Sequence, residues 1–381
     1  MSIMIKELVL ITIGSPMSLG TWSGVPYFLL NQLEKKRIKV NYINLEPNKY
    51  IKIIYNTIFL PLLSLLVKNG ELSIYRTVFF RIYQYFIFRT KLCKYKNADV
   101  VIGLSYNLMI PRKFRSVLFS DWPFSYDLEK KGINIGRYQR YHLCWENRCL
   151  KNASHVISLF PTCAKYINSI LGENKAISLG VNVVNNLSSE PDKQLISKKL
   201  KRKRIVFIGR KHYLKGAIAL ITSYSELKKV YPDLCIDIIG LTKKDIEEYE
   251  GVEMSDGIKL WGYLDKGNTE QCNQYYNILS NASLYVNTTP GWVGYTSMIE
   301  AMYYYTPVVV YPCTEFIDEF GDNINWGIYC QTEEQLVTSI ISILSNKDRF
   351  QMFCENAHDR VSEYTWSNFT DRLLMSITET A

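Results

Sequence analysis

The sequence predicts two doubly wound α/β domains in tandem. Three observations carry this: a length of 381 residues, a strand, glycine-loop, helix grammar that begins near residue 8, and a restart of that grammar at residue 205. Domains typically hold about 100–200 residues, so a chain of this length exceeds one ordinary core. Hydrophobic residues make up 47% and charged residues 21%, a composition that fits a soluble globular protein and excludes a disordered or fibrous one.

In the first half, "LVLITIGSP" reads as a buried strand, "GTWSGVPYF" as a glycine-bearing loop, and the stretch through "LNQLEKK" as a polar-faced helix leading to "VNYINL". "ADVVIGLS", "SVLFSDWP" and "SHVISLFP" continue as strands that end in small or turn-forming residues. Short apolar runs alternating with helix-length segments argue for a parallel sheet covered on both faces. The carboxyl ends of such strands are where open α/β sheets bind ligands.

Near residue 183 the grammar stops. "VVNNLSSEPDKQLISKKLKRKR" is polar and basic and reads as a solvated hinge, with nucleic-acid contact as the alternative for its lysines and arginines. The domains expected are therefore 1–182, a linker 183–203, and 204–363. Residues 364–381 form a closing helix that crosses back to the N-terminal domain. In the second half "IVFIGR" is a strand and "KHYLKG" its loop, followed by one helix with an apolar stripe at 217, 220, 221, 224 and 227. "LCIDIIG", "IKLWGYL", "ASLYVNTTP" and "TPVVVYP" complete the series. A cleft between the two domains is the default site.

The formal charge of +9 points to an anionic partner such as a phosphate ligand, anionic lipid or nucleic acid, without choosing among them. Nine scattered cysteines without a Cys-x-x-Cys pair suggest free thiols in a reducing, cytoplasmic compartment and argue against a zinc site. The N-terminus reads as a first strand rather than a secretory signal. The stretch at 53–67 is too short, and too interrupted by Asn56 and Pro61, to span a bilayer. Residues 50–96 carry eight Lys or Arg against one Glu, interleaved with aromatics. Either this surface rests on anionic lipid at the inner face of the cell membrane, or it is a core helix with basic flanks.

Two places invite an anion. Gly209 and Arg210 leave a strand, and Lys215 and Gly216 follow at the mouth of the next helix, an arrangement suited to a diphosphate. "TTPGWVGYTSMIEAM" supplies a second turn before a helix whose free N–H groups could hold the same anion, with Glu300 one to two turns in. Surface cations beside a turn and a solvated helical glutamate are the bland alternatives.

Taken in order, "IVFIGRKHYLKG", "IDIIG", "IKLWGYL", "TTPGWVGYTSMIEAMYYYTPVVVYP" and the late "YTW" resemble the nucleotide-binding half of retaining GT-B glycosyltransferases of family 4. The first half resembles it more loosely, through "WSGVPYF", which holds Gly24, and "ISLGVN". The resemblance implies a GT-B fold, two Rossmann-like domains facing a central cleft. The activity implied is transfer of a sugar from a nucleotide-sugar donor to a hydroxyl on a glycan or lipid-linked saccharide, with retention, as in bacterial surface polysaccharide synthesis (lipopolysaccharide, O-antigen).

By the same resemblance Arg210 and Lys215 meet the donor pyrophosphate, with Gly209 and His212 in the phosphate loop. Gly294, Tyr295 and Thr296 lie at the helix start, Glu300 binds ribose, and the backbone of the segment holding Tyr263 and Leu264 reads the base. Eight positions before Glu300, where the family has its first glutamate beside the donor sugar, this sequence has Trp292. Either a sugar ring stacks on the indole or activity is lost. Asp121 at a strand end either takes the acceptor proton or caps the following helix. His142, His155 and His358 read as structural. The chain has no Asp-x-Asp, which agrees with a metal-independent reaction, and no cofactor or nucleic acid is expected beyond the nucleotide-sugar substrate.

Three other readings stay open: a catalytically silent GT-B module that binds a sugar nucleotide in support of a partner enzyme, a GT-B epimerase, and, weakest, a nicotinamide dehydrogenase. Neither strand-loop start has the Gly-x-Gly-x-x-Gly spacing of the last class.

Overall fold

The computed structural model describes residues 5–67, 73–179, 183–249, 252, 254–291 and 295–379. The chain divides into two units, Met1–Val181 with Trp366–Ala381, and Asn182–Thr365.

The first unit is built on a six-stranded parallel sheet in the order β2-β1-β3-β4-β5-β6. Its strands are β1 (Glu7–Thr12), β2 (Lys39–Asn44), β3 (Val100–Gly103), β4 (Ser116–Ser120), β5 (His155–Ser158) and β6 (Ala176–Ser178). Between β1 and β2 lies α1 (Val25–Lys35), and between β2 and β3 lie α2 (Lys49–Ile54), α3 (Leu60–Leu66) and α4 (Val78–Thr90). α5 (Phe124–Lys130) and α6 (Arg137–Asn152) join β4 to β5, and α7 (Pro161–Leu171) joins β5 to β6. Leu8 to Ile11, Val100 to Ile102 and Val117 to Phe119 are buried without a break, as a sheet covered on both faces requires. Between α2 and α3 a π-helical turn spans Tyr55–Phe59, just ahead of Pro61, which lacks the N–H that a regular helix would need there.

The second unit repeats the plan with strand order β12-β11-β10-β7-β8-β9, again all parallel. It opens with α8 (Leu195–Lys201) and β7 (Arg204–Ile208), then α9 (Leu214–Thr222) and α10 (Tyr224–Val230). β8 (Cys235–Ile239), α11 (Lys243–Glu247), β9 (Ile258–Gly262) and α12 (Thr269–Asn281) follow. The unit continues with β10 (Leu284–Asn287), α13 (Tyr295–Tyr303), β11 (Val308–Val310), α14 (Thr314–Phe320) and β12 (Gly327–Tyr329), and closes with α15 (Glu333–Leu344) and α16 (Lys347–Val361). In both sheets the chain starts inside, runs to one edge, then returns and runs to the other. This places a topological switch point between β1 and β3 in one unit and between β7 and β10 in the other.

The last helix, α17 (Trp366–Glu379), groups with the first unit. Trp366 stacks on Phe28 of α1 at 6.0 Å, Asp371 pairs with Lys36 at 2.6 Å, and Arg372 Nε donates to the Leu179 carbonyl at 2.7 Å.

Three sequence readings change. The apolar stripe from 217 to 227 belongs to two helices, α9 and α10, although all five positions are buried as the periodicity requires. The short edge strands β6 and β12, of three residues each, were not legible as strands. The stretch 183–203 is not a solvated hinge throughout. α8 docks into the second unit through Ile196 and through Lys199, whose ammonium donates to the carbonyls of Leu279 (3.3 Å) and Tyr304 (2.6 Å) and to Thr306 Oγ1 (2.5 Å). Burial pushes Lys199 down to about 7. A basic run in sequence therefore hides one lysine that ties the ends of α12 and α13 together. All nine cysteines are free thiols.

Candidate functional site

The second unit gathers its chemistry at the carboxyl edge of its sheet, around the β7/β10 switch point. β7 ends at Gly209, whose N–H donates to the Ile239 carbonyl at 3.0 Å, so the loops after β7 and β8 run side by side. Gly240 makes that approach possible: it has φ +99°, and a Cβ there would lie 2.5 Å from the Gly209 carbonyl oxygen. On the other side, α9 packs onto the loop after β10. A Cβ on Gly216 would sit 2.4 Å from Thr289 Oγ1 and 2.9 Å from the Thr289 backbone nitrogen. Asn287 Oδ1 fixes that loop by accepting from Thr289 Oγ1 (2.8 Å) and Thr289 N (3.2 Å), and Thr289 Oγ1 also reaches the Tyr213 carbonyl at 3.3 Å. The two loops expected to share an anion are thus held in contact.

Arg210 and Lys215 rise from this frame as exposed side chains, and among the described residues no carboxylate pairs with either. The Arg210 guanidinium lies over the Tyr263 ring at 4.7 Å, which brings the loop after β7 to the loop after β9. Tyr263 itself is 55% exposed and Leu264 is half-buried. His212 packs against Tyr213 at 4.1 Å, and burial together with the Arg210 charge pulls its imidazole below the usual range. Lys211 is occupied by Glu248 at 2.7 Å. In this loop, among the described residues, Arg210 and Lys215 are the cationic side chains without an acid partner, and both were singled out from the sequence.

Tyr295 and Thr296 form the first turn of α13. The Tyr295 ring belongs to the core, packed on Phe316 at 4.7 Å and Phe320 at 6.1 Å, so only its backbone is available to a ligand. Trp292 and Gly294 lie outside the described residues. Glu300 is 1% exposed and is not a solvated glutamate. Both its oxygens accept from Lys266 Nζ, at 2.7 and 2.8 Å, and Oε2 also accepts from Tyr275 Oη at 2.6 Å. Lys266 rests on the Tyr275 ring at 4.2 Å and the Tyr276 ring at 5.3 Å. Sequence reasoning missed Lys266 and Tyr275. The one available signal was an unclaimed lysine directly after "WGYLD".

Gly24 and Asp121 stand in the first unit, at the carboxyl ends of β1 and β4. Gly24 (φ +85°) follows Trp22 and Ser23, both also left-handed, at the entry to α1. Asp121 does not cap α5, which removes one of its two readings. Its Oδ1 accepts from the Trp122 N–H at 2.7 Å and from Ser120 Oγ at 3.2 Å. The start of α5 is served instead by Glu146, whose Oε1 accepts from Phe124 N at 2.7 Å. Glu146 is buried, and that burial pushes its carboxyl up to about 7 despite the nearby Arg76 charge and the Phe124 bond. His358 accepts a structural role at the Tyr303 carbonyl, 2.7 Å away. Among the described residues no group of three or more His, Cys, Asp or Glu is placed to hold a metal ion.

The fold agrees with what the chain is similar to. Residues 188–360 match the family described as Glycosyl transferases group 1. No curated protein matches the chain in sequence. Among solved structures, sucrose-phosphate synthase from Thermosynechococcus elongatus superposes with a TM-score of 0.66 at 15% identity, over 97% of each chain. WaaG, a glycosyltransferase involved in lipopolysaccharide biosynthesis, gives 0.66 at 12% identity over 98% of this chain and 100% of its own. The pneumococcal O-GlcNAc transferase GtfA, in complex with UDP and GlcNAc, gives 0.61 at 10% identity over 99% of each. The fold is that of the two-domain GT-B glycosyltransferases.

Proposed function

We propose that this chain is a glycosyltransferase that moves a sugar from a nucleotide-sugar donor to a hydroxyl of a glycan or lipid-linked saccharide, with retention, in bacterial surface polysaccharide synthesis. The observation that carries the reading is the pair of exposed, acid-free cations Arg210 and Lys215 on a loop bound to the loop after β10 at the switch point. The group 1 match over 188–360 covers this same edge.

In the proposed reaction the sugar–phosphate bond breaks and negative charge builds on the departing nucleoside diphosphate. Arg210 and Lys215 stabilise that charge, which is the work a divalent metal does elsewhere, so the reaction is proposed as metal-independent. The N–H groups of the first turn of α13 add to this stabilisation. Tyr263 and Leu264 flank the base, with Gly209 and His212 beside the phosphates, and Gly24 on the donor side of the first unit. Glu300 accepts from the ribose. A carboxylate has about four acceptor positions, and three are taken by Lys266 and Tyr275, so ribose either fills the fourth or displaces Lys266. Asp121, at the carboxyl end of β4, is proposed to take the acceptor proton.

A peripheral membrane site at the inner face fits the acceptor class. Ile53, Ile58, Leu62, Leu65, Ile82 and Phe86 are all exposed on α2, the π-turn, α3 and α4, in a segment rich in Lys and Arg. Among the described residues no helix is long and apolar enough to cross a membrane. Trp292 in the place of the family's first glutamate favours a second reading, a module that binds a sugar nucleotide without turnover.

The test is transfer and hydrolysis across a panel of nucleotide sugars, with wild type against Arg210→Ala. Turnover that falls at least tenfold in the variant supports catalysis by this loop. Turnover unchanged by the substitution contradicts it, and donor binding with no turnover from any donor establishes the silent module.

A further inference from the structure

Arg81 on α4 is 7% exposed, and among the described residues no carboxylate pairs with it. Its guanidinium lies against the rings of Tyr141 (4.4 Å) and Trp145 (4.5 Å), and its terminal nitrogen lies 2.5 Å from His142 Nδ1. Burial, with the Arg81 and Arg76 charges behind it, holds His142 down at about 4, so the ring is neutral at pH 7. With Nδ1 accepting from Arg81, the ring hydrogen sits on Nε2.

The polar atoms left over share one character. Arg81 Nε, His142 Nε2 and Trp145 Nε1 are buried without a hydrogen-bond partner, and all three can donate. Gln84 Oε1 is the lone acceptor among these neighbours, since Gln84 Nε2 is spent on the Asn107 carbonyl at 3.1 Å. An unpaired buried cation is costly, and cation–π contacts offset only part of that cost. A cluster with one positive charge and a surplus of donors is complementary to a small group that carries negative charge and only acceptors.

Its place in the fold suits a ligand. Gln84 is tied to Asn107, just past the carboxyl end of β3. Glu146, adjacent to Trp145 on α6, is tied to Phe124, just past β4. The cluster therefore lies beyond the carboxyl ends of central strands, the ligand-binding edge of an open parallel sheet. Tyr141, 50% exposed, is the more exposed of the two rings on the Arg81 guanidinium.

We infer that Arg81, His142 and Trp145 form a binding site for a single phosphate-type oxyanion, covered by Tyr141. The group belongs either to a soluble phosphate ester or to the headgroup of a lipid, because the opposite face of α4 exposes Ile82, Tyr85 and Phe86. The inference stands apart from the glycosyl-transfer reading, which rests on the other unit.

The experiment melts full-length protein in inorganic phosphate against chloride of equal ionic strength. An Arg210→Ala background is used throughout so that the nucleotide loop does not contribute. Phosphate should raise the melting temperature by a few degrees in that background. Adding Trp145→Phe, which keeps a ring on the guanidinium and deletes the N–H, should weaken the response several-fold, and adding Arg81→Met should abolish it. If Arg81→Met does not fold, Trp145→Phe and His142→Gln decide. No phosphate-dependent shift in the background protein, or one unchanged by these substitutions, overturns the inference and leaves an ordered-water cluster. Flotation with phosphatidylglycerol vesicles separates the sources: loss of binding with Arg81→Met assigns the lipid phosphate, and retention alongside a lost phosphate shift assigns a soluble ester.

Discussion

Lys266 Nζ lies 2.7 and 2.8 Å from the two carboxylate oxygens of Glu300, in a pocket closed by the Tyr275 hydroxyl. The carboxylate is buried and the lysine only partly exposed, so each charge depends on the other. Removing one partner of such a pair typically costs about 3 kcal/mol or more, because the remaining charge stays in a poor solvent for it. Lys266→Met should therefore destabilise the chain by about that amount in urea unfolding, and Lys266→Met with Glu300→Gln should recover most of the loss. Additive losses would show that the pair is not coupled.

Gly216 is a point where α9 touches the loop after β10. Gly216→Ala forces a methyl against Thr289 and should cost roughly 1–3 kcal/mol of stability. Thr289→Ala in the same chain removes the hydroxyl contact at 2.4 Å but not the backbone nitrogen at 2.9 Å, so rescue should be partial. Full rescue would mean that the side chain alone sets the spacing.

Glu146 makes stability depend on pH. Its folded carboxyl titrates near 7 against an ordinary value of 4.5, so between those values the native state binds the extra proton. Its contribution is complete below about 4.5 and is lost as pH rises through 7. Glu146→Gln keeps an oxygen for the Phe124 N–H and removes the titration. Urea unfolding should place wild type and variant close together at pH 5, with the variant more stable by roughly 2–4 kcal/mol at pH 8. Parallel pH profiles would contradict the burial argument.

The fold was largely legible because doubly wound sheets announce themselves: ten of the twelve strands stand in the sequence as short apolar runs, and β1 among them opens the first sheet. β6 and β12 escaped because three edge residues carry too little pattern to count. The site was legible where charge and glycine fall at strand ends, as at Arg210 and Lys215. It was not legible where partners come from distant elements. Lys199 looked like one more cation in a basic hinge, yet its ammonium lies among helix-end carbonyls more than seventy positions away in sequence. Glu146 and Arg81 were hidden for the same reason, since only the packing of α4, α5 and α6 buries them. The break between α9 and α10 leaves the apolar periodicity intact and so could not be read from it.

In the proposed function the loop carrying Arg210 and Lys215 holds the diphosphate of a nucleotide sugar. Calorimetric titration of the full-length chain with UDP, GDP, dTDP and CMP, in wild type, Arg210→Ala and Lys215→Ala, tests it most directly. The expected result is saturable one-to-one binding of at least one nucleoside diphosphate, weakened about tenfold or more by either substitution, a change of about 1.4 kcal/mol. Absence of binding by every nucleotide, or binding that neither substitution alters, would contradict it.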